Sequence, residues 1–248
     1  MVNGKRTRNL FDPSSKDTFK VSRSKIELFL ECPRCFYLDR RLGVGRPDSI
    51  PFLLNSAVDT LLKKEFDAYR ASGKPHPIMK ENNVDATPFS HPDLDRWRAN
   101  FTGVQFFHEP TNLLIFGAVD DIWIDKSGQL FVVDYKSTST LHTISLDDIY
   151  KQAFKRQMEV YQWLLRNNGF KVSDTGYFIY ANGRTDLEAF NEKLEFSMQL
   201  IRYEGNAAWV DASIRALHNC LINDNIPQSN PDCKFCNYRD AASEAEKV

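Results

Sequence analysis

The sequence predicts an α/β protein with a mixed β-sheet flanked by helices. Apolar residues recur at helical spacing over residues 52–69 and again over residues 147–168. Between residues 104 and 137, β-branched and aromatic runs alternate with turn residues, as in an antiparallel meander. Another apolar run, at residues 175–182, follows the second helix. A helix that crosses between two strands makes a mixed sheet the expected architecture.

The two ends of the chain are predicted to be less regular than its middle. Residues 1–21 show no period and carry scattered charge, which indicates a flexible arm. A helix with a serine N-cap is expected to begin at Ser22 and to be interrupted at Pro33. A single domain is predicted over residues 22–238. The other predicted segments are a loop at 72–92, a strand at 193–203, a helix at 206–223 and a charged tail at 239–248.

Composition restricts the class of protein. A chain of 248 residues is long enough for one substantial core. Its 42% hydrophobic and 26% charged residues are typical of a globular protein rather than a disordered one. The net charge of −1 excludes a uniformly basic nucleic-acid binder, so contacts with phosphates have to be local. No apolar run approaches the roughly 20 residues that span a bilayer, so a cytoplasmic protein without a membrane partner is expected.

Two aspartates interrupt apolar strands in the predicted meander. Asp120 lies in the run at residues 113–125, and Asp134 lies in the next run. A carboxylate in such a position has to be paired, solvated or bound to a metal. Lys136 is two residues beyond Asp134 and leaves the same strand face. Asp121 is an alternative ligand, but alternation places it on the face opposite to Asp120. These residues predict a divalent-cation site.

Phosphodiester hydrolysis requires groups of this kind. Mg²⁺ prefers oxygen ligands and keeps several waters, so two or three carboxylates are enough to hold it. Such an ion polarises the phosphate. An adjacent ammonium orients the attacking water and offsets the charge that develops on the phosphorane oxygens. Taken alone, however, Asp134 and Lys136 also fit a strand end with exposed charges.

Three sequence pieces occur in a characteristic order: GAVDDIWI, VVDYKS and QMEVY. Together they resemble the RecB-like branch of the PD-(D/E)XK nucleases, which includes CRISPR-adaptation nucleases and the AddB helicase-nuclease subunit. The resemblance implies a restriction-endonuclease-like core that uses Mg²⁺ or Mn²⁺. It also implies that Gln157 and Tyr161, which share one helix face, flank the active site and contact substrate or water.

The same resemblance implies what the protein acts on and with. DNA is the implied substrate, with exonuclease-like action or action on single strands and free ends. A helicase, or a recombination, repair or CRISPR-adaptation complex, is the implied partner.

One position departs from the family pattern. The family carries a histidine ligand in a helical pattern like G-x-x-V-H, and the matching stretch here ends in Asp59. A carboxylate is a good ligand for Mg²⁺ or Mn²⁺, so Asp59 is expected to replace the histidine. The alternative is a weakened or lost site.

The cysteines form a second group of candidate ligands. Cys32 with Cys35, and Cys233 with Cys236, make two C-x-x-C pairs, whereas Cys220 is expected in the core. Four thiolates suit either a tetrahedral Zn²⁺ site or a [4Fe-4S] cluster. The resemblance implies an iron-sulfur cluster that clasps the N- and C-terminal segments. That family places one cysteine before the core and three after it, and the two-and-two arrangement here leaves Zn²⁺ open.

Two rival interpretations remain at the level of the sequence. In the first, the same fold has a degraded active site and serves as a nucleic-acid-binding or helicase-partner module, which the aspartate at position 59 favours. In the second, the C-x-x-C pairs themselves carry zinc-dependent or redox chemistry.

Overall fold

A computed structural model describes residues 5–48, 52–148 and 151–247 and has the mixed α/β architecture that the sequence predicts. The helices in these ranges are α1 (Arg23–Glu31), α2 (Pro33–Arg40), α3 (Leu53–Ser72), α4 (Pro77–Glu81), α5 (Leu94–Arg98), α6 (Gln152–Asn167), α7 (Trp209–Ile222) and α8 (Lys234–Ala245). The strands are β1 (Phe19–Ser22), β2 (Ala86–Pro88), β3 (Val104–His108), β4 (Leu113–Gly117), β5 (Asp121–Asp125), β6 (Leu130–Thr138), β7 (Thr175–Gly183) and β8 (Phe196–Glu204).

The larger sheet has five strands in the order β2-β5-β6-β7-β8. Strand β6 pairs antiparallel with β5 and parallel with β7, and β7 pairs antiparallel with β8. Helix α6 makes the crossover between the parallel strands β6 and β7, as parallel pairing requires. The predicted crossover helix and mixed sheet are thus confirmed.

Helices α3 and α6 contact opposite faces of strand β6. Val133 and Tyr135 pack in one apolar cluster with Leu62 and Phe66 of α3. The intervening Asp134 instead contacts α6, where it accepts a hydrogen bond from Gln157. Because strand side chains alternate between faces, Val133 and Tyr135 face α3 whereas Asp134 faces α6.

Helix α3 ends at Ser72 and is followed by a glycine in the left-handed conformation. Gly73 has φ 65° and donates its backbone N–H to Arg70 O over 3.1 Å. A glycine adopts this conformation without the steric cost that a Cβ adds.

The predicted meander is wrong in one respect. Residues 113–125 form two strands, because β4 belongs to a three-stranded sheet of order β1-β4-β3 whereas β5 belongs to the larger sheet. Strand β4 pairs parallel with β1, with Val21 opposite Ile115. Residues 118–120 therefore lie between two strands, and Asp120 is not a residue within a strand.

Other segments are more ordered than the sequence indicated. Residues 72–92, predicted to be a loop, contain α4 and β2. Strand β1 occupies the end of the predicted arm, whose first four residues lie outside the described ranges. Helix α8 covers most of the predicted tail; its polar composition gave no apolar stripe to detect. Helix α6 begins at Gln152, and residues 149–150 of that prediction lie outside the described ranges.

The chain divides into two compact units, each drawn from several stretches of sequence. The first comprises residues 1–50, 107–116 and 208–248, and the second comprises residues 51–106 and 117–207. The four paired cysteines belong to the first unit, and all the candidate catalytic residues belong to the second. Among the described helices, none has both the length and the apolar character needed to cross a membrane.

Candidate active site and metal-binding cysteines

Strand β6 places Asp134 and Lys136 next to each other on one face. The Asp134 carboxylate is fully buried and forms an ion pair with the Lys136 ammonium. The same ammonium lies 4.6 Å from the centroid of the Phe154 ring on α6. A buried carboxylate needs such a partner, since removing its charge from water is costly.

Helix α6 supplies the second partner of Asp134. Gln157 Nε2 donates to Asp134 Oδ1 over 2.8 Å and lies 3.1 Å from the hydroxyl of Tyr161, one helical turn further on. The spacing of four residues puts both side chains on the helix face that contacts β6. The sequence prediction that Gln157 and Tyr161 share a face near Asp134 agrees with this geometry.

Asp120 lies beside the backbone of β6. Its Oδ2 accepts a hydrogen bond from the backbone N–H of Tyr135 over 3.0 Å. The segment that carries it is held by α5: Arg98 Nε donates to Asp120 O over 2.9 Å, and Val119 N donates to Trp97 O over 3.1 Å. Asp120 is therefore positioned by contacts to a helix and a strand, and the break between β4 and β5 leaves its side chain accessible.

Lys63 links Asp59 to Asp120. Its ammonium lies 2.8 Å from Asp59 Oδ2 and 3.3 Å from Asp120 Oδ1. Burial alone would lower the pKa of Lys63, but the negative charges of Asp120 and Asp59 outweigh it and the pKa is raised. Lys63 is a site residue that the sequence analysis missed. Its spacing of four residues from Asp59 was the available signal.

The neighbouring Asp121 belongs to a different network. Its carboxylate is fully buried, pairs with Arg70 and Arg98, and accepts a hydrogen bond of 2.8 Å from the Tyr135 hydroxyl. Burial raises the pKa of Asp121 even though both guanidinium groups act to lower it. Because its oxygens are committed to these three partners, Asp121 is a structural residue on the α3 side of the sheet.

Tyr180 on β7 is a further residue that the sequence analysis missed. The register of β6 and β7 pairs it with Lys136, so both side chains lie on the same face. Its hydroxyl is buried and, within the described ranges, has no hydrogen-bond partner. Burial and the charge of Asp134 raise the pKa of Tyr180 to about 12, so it is a neutral donor at physiological pH.

The predicted acidic residues do not converge on one point. Among described residues, the only group of three or more acidic, histidine or cysteine side chains with ligand atoms all within 4.8 Å of one another is the cysteine group. Each predicted carboxylate is paired with an ammonium: Asp59 and Asp120 with Lys63, and Asp134 with Lys136. The backbone N–H of Tyr135, the residue after Asp134, donates a hydrogen bond to Asp120. This bond links the group around Lys63 to the pair of Asp134 and Lys136.

The four paired cysteines do converge. Cys32, Cys35, Cys233 and Cys236 are all buried, and their sulfur atoms lie within 4.8 Å of one another. Each C-x-x-C pair opens a helix: Cys32 is the N-cap of α2, and Cys233 is the N-cap of α8. This is a buried group that can hold a metal. Cys220 lies outside it.

Comparison with known proteins identifies the family. The family model of the PD-(D/E)XK nuclease superfamily matches residues 53–241, which is more than half of the chain. No curated protein matches. Among solved structures, the crystal structure of SSO0001 is similar at 16% identity and a TM-score of 0.38, over 91% of this chain and 86% of the other. At that TM-score the likeness carries no argument about activity. The family match, which covers all the candidate catalytic residues, shows that the chain belongs to the PD-(D/E)XK nuclease superfamily.

Proposed function

We propose that this chain is a metal-dependent deoxyribonuclease whose active site contains Asp120, Asp134 and Lys136. The observation that carries the proposal is the contact set of Asp134: a fully buried carboxylate between the Lys136 ammonium and the Gln157 amide. Superfamily members are usually phosphodiester hydrolases and typically use Mg²⁺ or Mn²⁺. A buried ion pair is a costly way to stabilise a sheet, so chemistry is the better reason for this one.

The donor set suits a hard divalent cation. Asp59, Asp120 and Asp134 offer carboxylate oxygens, which Mg²⁺ and Mn²⁺ prefer. Three carboxylates with the ammonium groups of Lys63 and Lys136 leave one net negative charge. A divalent ion would change this to one net positive charge, which matches a phosphodiester that carries a single negative charge. The donor type and net charge of these residues therefore suit the ion that the family implies.

Each residue then has a defined role. Asp120 and Asp134 would hold the divalent ion, with Asp59 completing the carboxylate set, and the ion would supply electrostatic stabilisation of the phosphate. Lys136 orients the attacking water and offsets charge on the phosphorane oxygens. Gln157 fixes the carboxylate of Asp134, and Tyr161 contacts the Gln157 amide in turn.

DNA with single strands or free ends is the proposed substrate, cut in an exonuclease-like manner. A helicase, or a repair, recombination or CRISPR-adaptation complex, is the proposed partner. Both assignments rest on the resemblance of the three sequence pieces to RecB-like nucleases.

A direct assay tests the proposal. The purified chain is incubated with Mn²⁺ and labelled DNA that is single-stranded, double-stranded with free ends, or circular. We expect cleavage of the substrates with ends, and a loss of at least about 100-fold in Asp134→Asn and Lys136→Met. Asp85→Asn, at an exposed residue, is the matched control and should keep full activity. Undiminished activity in Asp134→Asn would exclude this site.

A second function is favoured by one observation. Lys63 ties Asp59 to Asp120, and the three aspartates do not offer one common point for an ion. These features fit a nuclease fold that binds nucleic acid without cutting it. Calorimetric titration with Mn²⁺ separates the two functions: specific uptake that is lost in Asp120→Asn supports hydrolysis, whereas DNA binding without Mn²⁺ uptake supports the binding module.

The cysteine group is proposed to hold a structural metal, either a [4Fe-4S] cluster or Zn²⁺. Cys35 and Cys233 are 198 residues apart in sequence, so an ion between them closes a very long loop. Closing such a loop restricts the unfolded chain, which in the chain-entropy model stabilises the fold by about 5 kcal/mol. The metal therefore stabilises the fold rather than taking part in hydrolysis.

A further inference from the structure

We infer that the four cysteines bind a single tetrahedral metal ion of the zinc type, and not the iron-sulfur cluster that the family resemblance implies. The sulfur atoms are closely spaced. Cys35 Sγ lies 3.5 Å from Cys233 Sγ and 3.6 Å from Cys236 Sγ, and Cys32 Sγ lies 3.8 Å from Cys236 Sγ.

These distances match one small ion at the centre of the group. Zinc binds thiolate sulfur at about 2.3 Å, and the edge of a regular tetrahedron is about 1.6 times the centre-to-corner distance, which places the sulfurs about 3.8 Å apart. The three measured separations of 3.5, 3.6 and 3.8 Å lie within about 0.3 Å of this value.

A four-iron cluster requires a larger cage. Each thiolate binds a different iron of the cubane core, so the sulfurs occupy the corners of a tetrahedron that encloses the whole cluster, about 6 Å apart. In this chain all four sulfurs lie within 4.8 Å of one another. To admit the cubane, helices α2 and α8, which carry the two pairs, would have to separate by more than an ångström.

Disulfide pairing fits no better. A disulfide needs a sulfur–sulfur distance of about 2.05 Å, and all five cysteines are free thiols. Cys35 also lies at nearly equal distance from Cys233 and Cys236, so neither is a preferred partner. A group in which four sulfurs all lie within 4.8 Å of one another, and none is bonded to another, is typical of ligation to one central ion.

The surroundings suit the charge of such a site. A divalent ion with four thiolates carries two net negative charges. Arg46 Nη2 donates to Cys233 Sγ over 3.7 Å, and its guanidinium lies 4.5 Å from the Phe235 ring centroid and pairs with Glu31. Both pairs also lie in first helical turns, where backbone N–H groups favour thiolates. Arg46 is therefore a positioning residue for the metal centre.

Metal analysis of the whole chain tests the inference. The protein is expressed in cells supplied with both iron and zinc, purified without oxygen, and measured by plasma mass spectrometry, a sulfide assay and visible absorbance. We expect about one zinc per chain with no sulfide and no visible chromophore. A brown protein with iron and sulfide in similar amounts would overturn the inference, and so would a protein that contains no metal.

Cobalt substitution tests the geometry independently of metal availability. After removal of the bound ion, Co²⁺ alone is titrated into the chain. We expect the intense visible absorption of a tetrahedral tetrathiolate site, saturating at about one ion per chain. Weak absorption typical of six-coordinate cobalt would contradict the tetrahedral site.

Variants then locate the site. Cys233→Ser should lose the ion, whereas Cys220→Ser, the matched cysteine outside the group, should keep it. Arg46→Met should release zinc to a chelator about 10-fold faster, because removing a second-shell donor weakens metal sites by that order. If Cys233→Ser does not fold, the metal content of the unaltered chain still distinguishes a single zinc ion from an iron-sulfur cluster. The inference does not depend on nuclease activity, since none of these readouts measures hydrolysis.

Discussion

The ammonium of Lys63 lies 3.3 Å from Asp120 Oδ1, on the side chain that the family motif assigns to metal ligation. The same ammonium lies 2.8 Å from Oδ2 of Asp59, the residue at the position where the RecB-like pattern has a histidine. A divalent ion at these carboxylates and the ammonium of Lys63 would repel each other. Lys63 bridges Asp59 and Asp120 and would compete with a divalent ion for them.

Removing this competitor should strengthen metal binding. We expect Lys63→Met to bind Mn²⁺ about fivefold more tightly, equivalent to ~1 kcal/mol for a partly exposed pair. Isothermal titration calorimetry measures the change. Lys64→Met, at the exposed neighbour on α3, is the control and should leave the affinity unchanged. Weaker binding in Lys63→Met would show instead that the lysine is needed to hold the two carboxylates together.

Removing the Gln157 amide should lower catalytic activity. It donates a 2.8 Å hydrogen bond to the buried carboxylate of Asp134, and loss of such a bond to a charged group costs roughly 1.5–3 kcal/mol. We therefore expect Gln157→Ala to lower kcat/KM by about 10- to 100-fold. Gln152→Ala at the start of the same helix is the control.

The pair on α6 should also be non-additive. Tyr161 Oη lies 3.1 Å from the Gln157 amide, so Tyr161→Phe should lower kcat/KM in the unaltered chain but add little once Gln157 is removed. A double-mutant cycle on kcat/KM measures this coupling. Fully additive effects would mean that the two side chains act separately.

Much of the α6 side of the site follows from local sequence. Period-two alternation in VVDYKS is enough to put Asp134 and Lys136 on one strand face, and helical spacing is enough to put Gln157 and Tyr161 on one helix face. The convergence of the cysteines was likewise predicted from their number and pairing. The strand and helix predictions succeed because each depends on residues only a few positions apart. The cysteine prediction succeeds because four cysteines in two C-x-x-C pairs suit few kinds of site.

The α3 side could not be predicted in the same way. Asp120 lies in a break between two sheets, held by Arg98 and by the backbone of Trp97. No local pattern shows that residues 113–125 divide between two sheets, because the pairing of β4 with β1 and β3, and of β5 with β2 and β6, is a tertiary property. The reach of Lys63 to Asp120 is also a tertiary contact, and only its i,i+4 pairing with Asp59 is visible in sequence.

Substitutions at the adjacent residues Asp120 and Asp121 should have different effects, with Asp121 affecting the free energy of unfolding and Asp120 affecting metal binding. Asp121 is fully buried against Arg70 and Arg98, so Asp121→Ala leaves two mostly buried guanidinium groups with only the partly exposed Asp67 as a shared carboxylate. Breaking a buried pair in this way costs about 3–5 kcal/mol in the free energy of unfolding. Urea unfolding should show this loss in Asp121→Ala and a change near zero in the exposed Asp85→Ala.

Asp120→Asn should show the converse result. Its carboxylate is partly exposed and accepts one backbone hydrogen bond, so we expect a small change in stability but a loss of Mn²⁺ uptake. If Asp121→Asn abolished Mn²⁺ uptake and Asp120→Asn did not, the ligand assignment would have to be exchanged between the two residues.

Cys220 should show the pH dependence of a half-buried thiol. Burial raises its pKa from 9.0 to about 11, so at pH 8 about a hundredfold less of it is thiolate. A more basic thiolate is also more nucleophilic, which recovers about tenfold and leaves reaction with a disulfide reagent about tenfold slower than for an ordinary thiol. Because the pKa is raised, the rate should keep rising as the pH passes 9 and level off only near 11. Mass spectrometry of the labelled chain measures the labelling rate of each cysteine at each pH, with the urea-unfolded chain as the control. A rate that levels off at pH 9 would contradict the raised pKa.

Labelling of Cys35 and Cys236 at neutral pH before any chelator is added would contradict metal ligation, because a thiolate bound to an ion is a poor nucleophile until the ion leaves.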